Sequence, residues 1–165
     1  GFLDMVTASE VQSMINMERL VALPFHPSHM DRIQANNFDL AVFASLPDLP
    51  QRLALIQEQR CAWTLFYKHE PALCMGLEYK WPTNYEAWIV PGKVSLQHGT
   101  LLTRGAKRFF DNIGPKLDLL RMQIVVNVER EAAVRWAEFL KFEREGVMAK
   151  YGPEGADYYM YARTY

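Results

Sequence analysis

The sequence predicts a single-domain α/β fold (α+β by some schemes), a mixed, mostly antiparallel sheet flanked by helices. Three observations predict it. The chain has 165 residues, half of them hydrophobic and 13% aromatic, enough to bury one core. Its apolar periodicity switches between 2 and 3.6 in the order strand, helix, helix, three strands, helix, strand, helix, two strands. Three strands in series make a meander, and two βαβ-like crossings elsewhere make the sheet mixed. Residues 1–19 read as an N-terminal extension or helix and residues 20–165 as the domain, and Gly1 to Asp4, ahead of Met5, read as an expression remnant.

Ser9-x-x-Gln12 and Thr7-x-x-Glu10 are both capping-box candidates for a short helix with Val11, Met14 and Ile15 on one side. Leu20 to Phe25 is a strand, with Pro24 marking an edge or an end. Ser28-x-x-Asp31 caps a helix through Met30 and Ile33 that ends near Asn36-Asn37, and Phe38 to Phe43 is open between strand and helix. Leu49, Leu53 and Ile56 mark a helix ending near Arg60. Ala62 to Lys68 is a strand, His69-Glu70-Pro71 a turn, and Ala72 to Tyr79 the antiparallel partner. The stretch Tyr85 to Ile113 follows as a strand, a short polar loop and an amphipathic helix. Pro91-Gly92 ends its strand, and Leu101, Leu102, Gly105, Ala106, Phe109, Phe110 and Ile113 form one apolar stripe. First-turn amides near Gly99 and Thr100 have no partner inside such a helix and carry partial positive charge, so they suit a phosphate; a packed helix without a ligand is the alternative. Gly114-Pro115 stops the helix. Arg121 to Val128 is a strand, and Glu129 to Leu140 a helix with Ala133, Trp136, Ala137 and Leu140 inward. Phe142 opens a strand, Tyr151 to Gly155 turns, and Asp157 to Arg163 is the final strand.

The net charge of −1, from 18 basic and 19 acidic residues, leaves no electrostatic footprint for nucleic acid. No apolar run approaches the ~20 residues of a membrane span, and GFLDMVTASE lacks the basic and apolar regions of a secretory signal. Cys61 and Cys74 are too few for a disulfide framework and lack partners at zinc spacing. The expectation is a cytoplasmic protein with reduced thiols, no metal and no membrane or nucleic-acid partner.

The element order and several motifs resemble the GNAT (Gcn5-related N-acetyltransferase) superfamily over about Leu20 to Arg163. LVALPFHPSHMDRI is similar to the family's opening strand and helix, and the segment from Ile124 to Arg144 to its closing strand-helix-strand, with Ala133 and Phe142 at the helix alanine and the closing aromatic. Val90-Pro91 and Gly99-Thr100-Leu101-Leu102 match the strand end and the end of the acyl-CoA pyrophosphate loop. A narrower likeness is to GNAT-like internal virion proteins of short-tailed bacteriophages. The departures are specific. Val94 stands in the loop's Arg/Gln position and Gln97 in its first glycine position, where a side chain crowds close approach to a pyrophosphate. Arg130 and Ala137 replace the usual Asn and Tyr of the closing helix, and Lys141 replaces the glycine before the aromatic.

The resemblance implies an acyl-CoA-dependent N-acyltransferase using acetyl-CoA or another acyl-CoA, with a small-molecule or protein amine as acceptor. Its implied cofactor contacts are the backbone of Trp88, Ile89 and Val90, then Lys93, Gln97, His98, Gly99, Thr100 and Asn127. Arg104, Lys107 and Arg108 are further candidates for its phosphates or a solvated helix face. Glu86 is the implied general base, with an exposed strand glutamate as the alternative, and Glu78 is a second carboxylate nearby in sequence. Tyr158, Tyr159 or Tyr161 could replace the absent helix tyrosine as acid; Tyr159 is the one chosen, with core packing as the alternative. The segments 38–60 and 151–156 are expected to build the acceptor pocket. Val94, Gln97 and Ala137 keep open a non-catalytic structural protein, such as a virion component with virion partners. A homodimer is a further option.

Overall fold

A computed structural model describes residues 6–165, so the Gly1 to Asp4 expectation lies outside the described residues. Among these residues seven strands form one sheet in the order β1-β2-β3-β4-β5-β7-β6. The strands are β1 (Val21–Pro24), β2 (Ala62–Tyr67), β3 (Glu70–Trp81), β4 (Asn84–Pro91), β5 (Arg121–Asn127), β6 (Glu143–Met148) and β7 (Tyr158–Thr164). The helices are α1 (Ala8–Ile15), α2 (Pro27–Arg32), α3 (Asn37–Ala44), α4 (Leu49–Gln59), α5 (Lys93–Gln97), α6 (Gly99–Lys116) and α7 (Glu131–Phe139). The predicted class, a mixed and mostly antiparallel sheet flanked by helices, is the one observed.

The packing divides into two compact units, each assembled from discontinuous segments. The first is the chain up to Leu77 with Ile89–Phe109, and the second is Glu78–Trp88 with Phe110–Tyr165. No composition break marks the division, because β3, β4 and α6 each contribute residues to both. In the first unit the apolar face of α6 buries Leu102, Ala106 and Phe109, and Trp63 of β2 lies 5.9 Å from Phe109, centroid to centroid. Arg108 donates to the carbonyls of Ile15 and Asn16, closing the C-terminal end of α1. In the second unit Phe110 meets Phe142 edge-on at 5.1 Å, and Ile113, Met122, Leu140 and Tyr161 are fully buried with them. Asp111 pairs with Arg163, and the Tyr165 hydroxyl donates to the Phe110 carbonyl at 2.7 Å. A Cβ on Gly114 would sit 2.2 Å from the Tyr165 ring, so the helix needs glycine there for close approach.

Several expectations are corrected. Of the two candidate boxes, Thr7 and Glu10 form the capping box of α1. The cap of α2 is His26, not Ser28: its ring nitrogen accepts from the Ser28 amide, and the His29 ring accepts from the His26 amide. That helix stops at Arg32, and the ambiguous Phe38 to Phe43 run is helical, started by the Asn36 side chain accepting from the Asp39 amide. The β2–β3 turn is Lys68-His69, both at positive φ, with Tyr67 opposite Glu70. This is the two-residue hairpin geometry that matches strand twist. The polar loop after β4 contains a helix, α5, and α6 runs through Gly114-Pro115 to Lys116. Among the described residues β4 pairs with β5 in parallel, and the second crossing leaves β7 inserted, antiparallel to both β5 and β6.

Candidate functional site

The β4–α6 connection is built around a close approach at Gly92. A Cβ there would lie 2.2 Å from the Ile33 carbonyl oxygen, the Gly92 amide donates to Ala72 at 2.9 Å, and Gly92 bridges to Ala35. Only glycine lets these backbones meet. α5 leaves from this anchor, with the Ser95 hydroxyl donating back to the Gly92 carbonyl at 2.7 Å. His98 closes α5, and its ring packs 4.2 Å from that of Tyr67. The first bond into α6 is Leu102 N–H to the His98 carbonyl at 3.1 Å. The amides of Gly99, Thr100 and Leu101 thus head an 18-residue helix without an intrahelical acceptor.

Those amides open on a cleft of about 330 Å³ lined by Arg19, Gln97, His98, Gly99, Thr100, Leu101 and Arg104. A Cβ built on Gly99 meets nothing within 4 Å, so the side-chain side of this residue is open. Arg19 and Arg104 are exposed and have no hydrogen-bond or ion-pair partner among the described residues. Two guanidinium groups and the positive end of a long helix converge on one concavity, a donor set suited to a diphosphate. Gln97 is exposed on the wall of the cleft and leaves it open. Lys93 is exposed at the start of α5 and is not among the lining residues, and Arg108 is committed to α1. Arg19 was invisible to sequence reasoning: it lies in the turn before β1, 80 residues from Gly99, and no local pattern joins them.

Glu86 lies on the last rung of the parallel ladder. Asn84, Tyr85 and Glu86 pair with Arg121, Met122 and Gln123, while β4 continues to Pro91 and β5 to Asn127. Beyond that rung Trp88 and Ile89 are half-buried and Val90 is buried. One Glu86 carboxylate oxygen accepts from Gln123 Nε2 at 2.8 Å. Tyr151, from the segment before the 3₁₀ turn at Pro153–Gly155, sits within Glu86's field: burial, then the Glu86 charge, push its phenol up. Tyr151 in turn packs on Tyr158 at 5.2 Å. Glu78 pairs with Lys80 at 3.6 Å.

Tyr159 stands opposite Val126 on β5 and Val147 on β6. Residues opposite one another share a sheet face, and faces alternate along a strand. Glu86 therefore shares the face of Gln123 and Ala162, and Tyr159 the other face. The Arg144 guanidinium lies 3.8 Å from the Tyr159 ring centre. Tyr161 is fully buried and donates to Glu138 at 2.9 Å, which makes it core. Asn127 Oδ1 accepts from the Glu129 amide at 2.9 Å, a turn-forming bond that leaves its Nδ2 as the group able to reach a ligand. Lys141 adopts φ 70°, a left-handed conformation that favours glycine. Burial pushes both Cys61 and Cys74 thiols up to about 11. Among the described residues no group of three or more His, Cys, Asp or Glu is placed to hold a metal, and no helix is long and apolar enough to cross a membrane.

No family model and no curated protein matches the sequence. Solved structures do match. A GNAT-family acetyltransferase from Bacillus anthracis aligns with a TM-score of 0.69 at 18% identity, covering 89% of this chain and 95% of its own. RimL, the ribosomal L7/L12 α-N-protein acetyltransferase, aligns in its apo form at 0.69 and 16% identity, covering 90% and 92%. The yncA protein of Salmonella typhimurium, solved with its cofactor acetyl-CoA, aligns at 0.60 and 12% identity, covering 89% and 94%. At these identities the likeness shows the fold: the chain is folded as these acetyltransferases are.

Proposed function

We propose that the chain is an acyl-CoA-dependent N-acyltransferase. The observation that carries the reading is the cleft at the head of α6, where the amides of Gly99, Thr100 and Leu101, without an intrahelical acceptor, meet Arg19 and Arg104, which have no ion-pair partner among the described residues. The donor set fits the pyrophosphate of a CoA thioester. Acetyl-CoA, when bound, supplies the activated acyl group. The parallel ladder with β5 ends at Glu86, and this reading assigns the pantetheine arm to the backbone of Trp88, Ile89 and Val90 beyond it, with Asn127 Nδ2 as a further donor. Gln97 and His98 form the cleft wall, and Lys93 adds positive charge nearby in the chain.

Glu86 takes the proton of the acceptor amine. Its half-buried position and its hydrogen bond to Gln123 support this role, and Tyr151 and Tyr158 offer rings beside it for the acceptor. Tyr159, on the sheet face opposite Glu86, is out of reach of the same acyl carbon, so the departing thiolate takes its proton from solvent.

Calorimetry with acetyl-CoA tests the reading. Micromolar binding that Gly99→Glu abolishes is expected, because a carboxylate on a cleft-lining residue would repel the diphosphate. Glu86→Gln should retain that affinity and lose turnover about 10²–10⁴-fold. No binding at millimolar acetyl-CoA would leave a scaffold protein of this fold.

A further inference from the structure

The hydrogen bond on Glu86 is the end of a longer chain. Gln123 Nε2 donates to Glu86 Oε1 at 2.8 Å, while Gln123 Oε1 accepts from Arg121 Nε at 3.0 Å and from Asn84 Nδ2 at 3.3 Å. An arginine can only donate, so the Gln123 amide has one orientation here; flipped, its NH₂ would face two N–H donors. Arg121 is itself held as a fork by both oxygens of Glu145, at 2.9 and 2.7 Å. Asn84 is 5% exposed, and among the described residues its Oδ1 has no hydrogen-bond partner, so its side-chain bond there is the one to Gln123. The run Glu145, Arg121, Gln123, Glu86 reaches from β6 past β7 to β5 and β4, and from Arg121 onward, Nε and then the Gln123 amide donate toward Glu86.

We propose that Gln123 is a positioning residue for Glu86, locked by the Arg121–Glu145 fork so that one carboxylate oxygen is pinned and the other faces the acceptor amine. The inference rests on the acyl-transfer reading and names a residue that reading does not need. A pinned Oε1 leaves Oε2, which has no hydrogen-bond partner among the described residues, as the atom that takes the proton. Side chains that orient a base act through geometry, and a misplacement of about 1 Å costs on the order of 10²-fold.

Two readouts test it. In the free protein, nitrogen-labelled NMR should show the two Gln123 side-chain amide protons widely separated, with the Glu86-bonded one moving upfield in Glu86→Ala and the pair averaging in Arg121→Met. In turnover of acetyl-CoA against a panel of amino acids, polyamines and short peptides, Gln123→Leu should lower kcat about 10- to 100-fold with the acetyl-CoA KM unchanged. Gln123→Glu should be worse, because it sets two carboxylates together. Arg121→Lys should fall between, keeping the charge but losing the fork. Gln123 amide protons that ignore Glu86→Ala overturn the inference whatever the acceptor. Wild-type kcat in Gln123→Leu overturns it while leaving acyl transfer standing. A wild-type protein that binds no acetyl-CoA overturns both.

Discussion

Removing the two guanidinium groups from the α6 cleft isolates their share of ligand binding. Arg19→Ala and Arg104→Ala leave the Gly99, Thr100 and Leu101 amides in place, since neither side chain bonds to protein among the described residues. A charge-assisted hydrogen bond to a phosphate is worth about 1.5–3 kcal/mol when sheltered. Both arginines are exposed, which discounts each to about 1 kcal/mol. At about 1.4 kcal/mol per tenfold, each variant should weaken acetyl-CoA by roughly five- to tenfold and the pair by roughly 25- to 100-fold. Calorimetry at two salt concentrations reads this out, and raising salt should weaken the wild type more than the double variant. S-acetylpantetheine, which lacks the diphosphate, should bind wild type and variants alike. Acetyl-CoA affinity within twofold of wild type in the double variant would refute the placement of the phosphates.

Three further outcomes follow from packing and protonation. Gly114→Ala should destabilise the fold by about 1–3 kcal/mol, because its Cβ displaces the Tyr165 ring. Tyr165→Ala should absorb part of that loss in a double-mutant cycle. Cys61 and Cys74, their thiols raised to about 11 by burial, should react with iodoacetamide at pH 8 about a hundredfold more slowly in the native state than in urea. Their folded pKa exceeds the unfolded one, so their contribution to stability is full below about pH 8.5 and falls as pH rises toward 11. His29 is held below its ordinary value first by burial, then by His26 and Arg32. Its ring accepts from the His26 amide, so stability should fall as pH drops below about 6.5, and His29→Gln should flatten that limb in urea melts.

The sequence carried the long-period information well. Every side chain of the Leu101-to-Ile113 stripe is buried, because an 18-residue helix repeats its pattern often enough to be read. The sequence predicts a loop where α5 forms, because KVSLQ is little more than one turn, too short for a 3.6-residue signal. NFDLAVFA buries no residue, so no face separates helix from strand, and the Asn36 cap decides between them. His26 escaped notice because an imidazole is not among the usual capping side chains. The catalytic candidate Glu86 and the cleft residues Gly99 and Thr100 could be placed from local sequence. Arg19 and Gln123 could not, since both depend on which strands meet and in what register.

The most direct test of the acyl-CoA reading is the backbone amide spectrum of Gly99, Thr100 and Leu101 during titration with acetyl-CoA. Those three resonances should move together and saturate at micromolar ligand, as phosphate oxygens take the place of water on the unbonded amides. Resonances that stay fixed to millimolar acetyl-CoA would contradict the reading.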